Sequence, residues 1–386
     1  MRLNDYQYGL KNCRSKIVVA IIAIAMVITC SFSNGGATII AKAAGTAISA
    51  LDITADMGVG WNLGNSLDSH GGNRNAYESE TYWGNPKVTK ELITEVKNKG
   101  FNTIRIPVTW YEHTAKQTVN GKTEYVIDSA WMDRVEEVVG YAYDQNMYVI
   151  LNIHHEEGYI NRADLANAYQ PMSEYLTSVW RQIATRFADY DQHLIFEGMN
   201  EPRAVGTEEE WYTTDNAKFE VINKLNADFV RTVRGIDSPY QNTRLLMIPS
   251  YAASADGPMY EKVVIPNTGI DSNSDGRDDY VAVSIHAYKP YDFTMNSKTS
   301  HSEFTDAYNT SLKSTINSIC NTYVKKGIPV IIGEFGASNY GYDDARIAWA
   351  TAYMTYAKEA GIPCVLWDNN KDSNSDGSEA HGYVIR

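Results

Sequence analysis

The sequence predicts an α/β fold, a closed (β/α)8 TIM barrel, from three observations. Eight short apolar runs alternate with helical stretches from Met57 onward. The runs are almost continuously apolar, as parallel strands buried on both faces are. Eight such units are the number that closes a barrel, and barrels commonly reach about 250 residues or more as one domain. The structural rival, an open doubly wound sheet, lacks its signature, because no G-x-G-x-x-G turn follows the first strand.

The strands are expected at Gly58–Leu63, Phe101–Pro107, Tyr148–His154, Leu194–Asn200, Leu245–Pro249, Val281–Ala287, Val330–Glu334 and Cys364–Trp367. Helices are expected at Lys87–Lys99, Ser129–Gln145, Met172–Ala188, Asn216–Val233, Phe304–Lys326 and Asp344–Glu359, with a short crossover around Pro258–Val264. Gly327-Ile328-Pro329 and Gly361-Ile362-Pro363 each end a helix and start a strand, since glycine suits the C-terminal cap and proline cannot continue the helix. After the last strand come Asp368–Arg386, rich in Ser, Asp, Asn and Gly. They do not make an amphipathic eighth helix, so the barrel is expected to be C-terminally truncated, with its final outer helix missing.

The N-terminus reads as an address. Arg2, Lys11, Arg14 and Lys16 precede an apolar run from Ile17 to Ile28, too short to span a bilayer, and Ala41-Lys42-Ala43 supplies a cleavage site. Residues 1–43 are expected to be a secretory signal and 44–386 the catalytic barrel, giving a secreted, extracellular protein. The rival is an uncleaved anchor or a lipoprotein acylated at Cys30, for which Thr29 is a poor neighbour. Cleavage removes Cys13 and Cys30, leaving Cys320 and Cys364 with no zinc spacing, expected as two free buried thiols in preference to one bridge.

A net charge of −13 argues against nucleic-acid binding and against a polybasic membrane patch. The aromatic inventory of 27 Tyr, 9 Phe and 8 Trp suits ligands with apolar faces and hydroxyl rims, such as sugars.

Barrel active sites form where strands finish. Arg105 lies in strand two, His154-His155-Glu156 ends strand three, and Asn200-Glu201-Pro202 ends strand four. His286-Ala287-Tyr288, Gly333-Glu334-Phe335-Gly336 and Trp367-Asp368-Asn369 end strands six, seven and eight. Glu201 and Glu334 thus face one barrel mouth from roughly opposite sides. Such a pair suits glycosidic cleavage, one carboxylic acid protonating the departing oxygen and the other carboxylate attacking the anomeric carbon.

Asn200-Glu201-Pro202 and Gly333-Glu334-Phe335-Gly336 resemble the signatures of glycoside hydrolase family 5 in clan A. Gly58–Asn65, Tyr82–Pro86, Gly100–Trp110, Asn152–Glu156 and Ser284–Tyr288 resemble its subfamily 4, over about residues 48–370. The resemblance implies a secreted, cofactor-independent endo-β-1,4-glucanase acting with retention on cellulose or mixed-linkage glucan. The alternative is a same-clan hydrolase for xyloglucan, mannan or xylan. It implies Glu201 as acid/base and Glu334 as nucleophile, with Arg105, His154, Asn200, His286, Tyr288, Trp367, Asn62 and Trp83 around the substrate. Arg105 is expected to hold Glu334 ionised, Tyr288 to donate to it, and His286 to orient Glu201. Asn200 is expected to bind the 2-hydroxyl, and Trp367 to lie under the reacting sugar. Attachment to a cellulosome scaffold would need a dockerin beyond Arg386.

Other readings compete. His154, His155, His286 and Asp368 invite a metal barrel, but the first strand carries no H-x-H, so no catalytic metal is assigned. Of the two adjacent histidines one at most should face the cavity if the strand continues, and His154 is chosen. Glu197 should be an ion-pair member beneath the site, Trp180 core, and Trp61, Trp83, Trp110 and Trp211 either sugar platforms or packing. Asp271–Gly276 and Asp372–Gly377 both read D-x-N-x-D-G, the opening of a calcium loop, but lack its closing Glu. A solvated loop is preferred, with calcium retained as an alternative at the first copy, aided by Asp278 and Asp279.

Overall fold

A computed structural model of the chain describes residues 48–72, 76–374 and 378–384, so the expected leader at 1–43 lies outside the described residues. The strands are β1 (Val59–Asn62), β2 (Thr103–Ile106), β3 (Thr114–Val119), β4 (Lys122–Ile127), β5 (Tyr148–Asn152), β6 (Leu194–Glu197), β7 (Leu246–Ser254), β8 (Val281–His286), β9 (Val330–Phe335) and β10 (Cys364–Leu366). Eight of them close a parallel barrel in the order β1-β10-β9-β8-β7-β6-β5-β2, with β1 paired to both β2 and β10. Every expected strand is present, and the open-sheet rival is excluded. The expected runs Tyr148–His154 and Leu194–Asn200 overshoot at their C-terminal ends, where His154 and Asn200 have left the ladder for the rim.

The helices are α1 (Ala50–Met57), α2 (Ala76–Ser79), α3 (Lys90–Asn98), α4 (Ser129–Tyr143), α5 (Tyr169–Arg186), α6 (Asn216–Arg234), α7 (Gly257–Tyr260), α8 (Tyr291–Thr294), α9 (Asp306–Thr322) and α10 (Asp343–Glu359). The six long helices begin within three residues of where the sequence places them. Side chains of Thr89, Asp128, Asp215 and Thr305 accept the first-turn amides of α3, α4, α6 and α9, satisfying donors that have no intrahelical partner. Gly327 and Gly361 sit at φ 79° and 68°, the left-handed conformation that stops the chain before the next strand.

Among the elements not anticipated, two seal or brace the barrel. Helix α1, capped by Ser49, inserts Ile53 and Met57 beneath Tyr148, Ile150, Ile195, Met247, Ala282, Ile331 and Val365, sealing the N-terminal end of the barrel. The β3–β4 hairpin turns through Asn120-Gly121, both at positive φ, and rests on α5 through Tyr125 N–H to Ser178 Oγ (2.8 Å) and Ile127 N–H to Gln182 Oε1 (2.9 Å). That Asn-Gly pair between alternating residues is a strong hairpin signal, present in the sequence and unused.

After β10 the described residues form no helix. Residues 378–384 return over the barrel mouth, where Asp368 Oδ2 accepts from the backbone of Tyr383 (3.0 Å) and Val384 (2.7 Å) and from Trp61 Nε1 (3.0 Å). Cys320 and Cys364 are free and buried, as expected. Asp271 spends its carboxylate on the amides of Asp275 and Gly276, and Asp279 on that of Ser272. Asp278 is in a buried pair with Arg234 (2.9 Å), so it is not available to help a calcium ion. Asp376 and Gly377 of the second repeat lie outside the described residues.

Candidate active site

The barrel interior changes character along its axis. Below, the inward side chains are apolar; just under the rim they are Asn62, Arg105, Asn152, Glu197 and Ser284, all buried. Buried charge is tolerable only when paired, and Arg105 is the hub of that pairing. Its Nε donates to Glu197 Oε2 (2.7 Å), one terminal nitrogen to Glu334 Oε1 (2.7 Å) and Asn62 Oδ1 (3.0 Å), and the other to Asn200 Oδ1 (2.7 Å). Glu197 also accepts from Ser284 Oγ (2.6 Å) and Asn152 Nδ2 (3.0 Å). Burial raises its carboxyl, but the Arg105 charge together with His286 and the Ser284 hydroxyl outweighs that and holds it at about 2.

The rim follows. Glu201 and Glu334 bring carboxylate oxygens within 4.8 Å of each other, with His286 between them. His286 Nδ1 is 2.8 Å from Glu201 Oε1 and 3.6 Å from Glu334 Oε2. Tyr288 donates its hydroxyl to Glu334 Oε2 at 2.7 Å. The loop carrying Glu201 is pinned by Ala252 N–H to the Pro202 carbonyl (3.0 Å) and Ala204 N–H to the Tyr251 hydroxyl (2.9 Å). Ala252 and Ala253 stand at φ 52° and 46°, a bulge that re-aims the end of β7 toward that loop.

His154 has a fixed tautomer. Asn152 Oδ1 accepts from Val108 N–H (3.1 Å), so its Nδ2 faces Glu197 and His154 Nδ1 (3.1 Å). His154 Nδ1 therefore accepts, its proton sits on Nε2, and burial together with the neighbouring cations keeps the ring neutral. The ring lies nearly parallel to Trp367, 2° between planes and 5.8 Å between centroids. Arg105 also occupies Asn200 Oδ1, and Asn200 Nδ2 has no protein acceptor among the described residues.

The family model described as Cellulase (glycosyl hydrolase family 5) matches residues 67–373. The chain belongs to glycosyl hydrolase family 5. A GH5-4 broad specificity endoglucanase from Ruminococcus flavefaciens is 52% identical, with a TM-score of 0.81 over 88% of this chain and 92% of that one. A GH5-4 broad specificity endoglucanase from Ruminococcus champanellensis with bound cellotriose is 40% identical, TM-score 0.79, over 87% and 93%. Endoglucanase A of Ruminococcus albus is 42% identical across 88% of each chain.

In this family 5 site the three central groups share their protons. Burial opposes a charge on His286, but the surrounding carboxylates, Glu334 foremost, raise it to about 9. Burial also works against Glu201, whose hydrogen bond to His286 draws it down overall. Burial and the Glu201 charge raise Glu334 against the pull of His286 and Arg105. The resting site thus gathers the cations of Arg105 and His286 around buried carboxylates whose titrations are linked, Glu201 drawn down and Glu334 drawn up.

Some expectations need correcting. β5 stops at Asn152, so strand alternation does not separate His154 from His155; the rings touch edge to face at 4.5 Å and both line the rim. Trp61 and Trp110 are fully buried packing rather than platforms, and Trp180 is core as expected. Trp83 and Trp211 remain exposed, 38% and 57%, and the guanidinium of Arg203 lies 4.2 Å over Trp211 and 3.6 Å from Glu201. Asn62 is buried, donating to the Gly333 carbonyl (2.9 Å), so it supports Arg105 and strand β9 instead of facing a sugar. Residues not singled out earlier are Asn152, Ser284, Arg203 and Glu379. The first two carried a signal, each a polar residue two positions before a rim histidine inside an apolar strand. Glu379 comes from the returning segment; burial first, then the charges of Glu201 and Glu334, raise its carboxyl.

Proposed function

We infer that this family 5 chain is an endo-β-1,4-glucanase that cleaves internal bonds of β-glucan chains by double displacement. Glu334 attacks the anomeric carbon while Glu201 protonates the departing oxygen; Glu201 then takes a proton from the water that releases the glycosyl-enzyme. The observation that carries the reading is the spacing of the pair. Carboxylate oxygens within 4.8 Å fit the close pair of a double displacement, about 5–5.5 Å, rather than the pair about 6.5–9.5 Å apart of an inverting enzyme.

The proton distribution that attack requires is ionised Glu334 with protonated Glu201. Glu334 accepts from two donors, Arg105 and Tyr288, at 2.7 Å each, which suits it to carry the charge. The His286 proton lies one hydrogen bond from Glu201, at 2.8 Å. Passing it to Glu201 protonates the acid and leaves His286 neutral, while Arg105 and Tyr288 hold Glu334 as the nucleophile. His154 Nε2–H and Asn200 Nδ2 are the free donors for sugar hydroxyls, and Trp367 and Trp83 offer faces to the rings.

Substrate breadth belongs to the same proposal, since two similar structures are titled broad specificity endoglucanases. Reducing ends released from carboxymethylcellulose, mixed-linkage glucan, xyloglucan, mannan and xylan test it. Release from the β-1,4-glucans is expected; release from mannan or xylan alone overturns it. Glu334→Ala should abolish turnover, and azide should restore cleavage with an inverted product. We also propose export, on the leader pattern of residues 1–43. Expression with the native N-terminus should yield extracellular protein beginning near Gly45 or Ala44, and retention of the full chain in the cytoplasm would contradict it.

A further inference from the structure

We propose that His70, His155 and Glu157 form a zinc-binding site at the rim of the cleft, separate from the carboxylate pair. One ligand atom from each of the three lies within 4.8 Å of the other two, and all three residues are half-buried. Two imidazoles and one carboxylate with a fourth position open are the donor set that zinc takes with three protein ligands.

Two further observations support it. The side chains of His155 and Glu157 have no hydrogen-bond partner among the described residues, so binding an ion breaks nothing. His70 is already oriented, its Nδ1 3.2 Å from the Tyr111 hydroxyl. Ligating histidines commonly carry such an outer partner on their second nitrogen.

The competing clusters are already engaged. Asp68, which together with His154 and His155 forms another close group, accepts from the amides of Asn65 (3.0 Å) and Ser66 (2.7 Å), and His154 Nδ1 is held by Asn152. In the Glu201–His286–Glu334 group, His286 already shares its Nδ1 proton with Glu201. The location gives the ion a consequence. The Trp83 ring lies 5.0 Å from His70 and 5.5 Å from His155, and His155 touches His154. Zinc there would share the exposed Trp83 edge of the cleft with a glucan chain, so the two ligands should compete.

The test is isothermal titration of the chelator-stripped protein with zinc alone, a readout that stands whether or not the chain is a glucanase. One equivalent should bind to the wild type and to Glu201→Gln. His70→Ala and Glu157→Gln should lose it, and Tyr111→Phe should weaken it about tenfold or more. Cobalt substitution should give the visible spectrum of a four-coordinate ion in the wild type only. If His70→Ala fails to fold, Glu157→Gln decides. No binding by the wild type overturns the proposal. So does binding that survives both ligand variants, or binding lost in Glu201→Gln, which would place the ion on the carboxylate pair.

Discussion

Replacing Tyr288 by Phe removes one donor from Glu334 and little else. The hydroxyl donates to Oε2 at 2.7 Å while Arg105 holds Oε1 at 2.7 Å. Burial and the Glu334 charge raise the phenol well above the ordinary tyrosine range, so it remains a donor throughout the working range. A hydrogen bond to a charged group contributes about 1.5–3 kcal/mol. At 1.36 kcal/mol per unit, its loss raises the Glu334 titration by about 1–2 units. The bond favours the ionised carboxylate, and attack requires that form, so the acid limb of kcat/KM should move to higher pH by the same amount. Below the shifted limb the variant should be about 10- to 100-fold slower, and well above it nearly normal. The assay is hydrolysis of an aryl β-cellobioside with a good leaving group, which makes the rate insensitive to Glu201, followed across pH. An acid limb that stays in place, or a loss of equal size at every pH, refutes the reasoning.

Glu201→Gln should slow substrates with poor leaving groups far more than those with good ones, and equal impairment of both would remove the acid assignment. Glu197→Gln should destabilise the fold by about 3 kcal/mol near neutrality, because a carboxyl held at about 2 is lost from Arg105. Its folded value is depressed, so this contribution is present above the unfolded carboxylate range. Urea midpoints of wild type and variant should therefore converge as pH falls from about 4.5 toward 2, and a gap independent of pH would count against the Arg105 pairing. Ile53→Ala, in the helix that seals the barrel floor, should cost about 2–5 kcal/mol by urea unfolding. A cost under about 0.5 kcal/mol would mean that α1 is dispensable to the barrel.

Barrel strands were legible because a parallel strand buried on both faces must be apolar along its length, whatever surrounds it. The interruptions were legible for the same reason: a charge such as Arg105 or Glu197 inside such a run needs a partner. What failed was reasoning that carried strand geometry past the ladder's end. His154 and His155 alternate on paper, yet their rings touch once β5 has stopped at Asn152. Asn62 reads as a cleft residue from its motif, but its amide is used up inside the wall. Helix α1 escaped notice because eight residues carry too little periodicity, whereas the Asn120-Gly121 turn was visible and overlooked.

The sequence by itself determined the barrel, its order of elements and the two acidic side chains at its mouth, since these follow from local polarity and chain order. Only the tertiary structure decided how burial and neighbouring charges shift each rim group, which tautomer His154 adopts and which tryptophans stay exposed. It alone brought His70 to His155 and Glu157, 85 or more residues further along the chain. Such properties arise from distances of a few ångströms between residues remote in sequence, and the Coulomb and desolvation energies that set them depend on that closeness and burial.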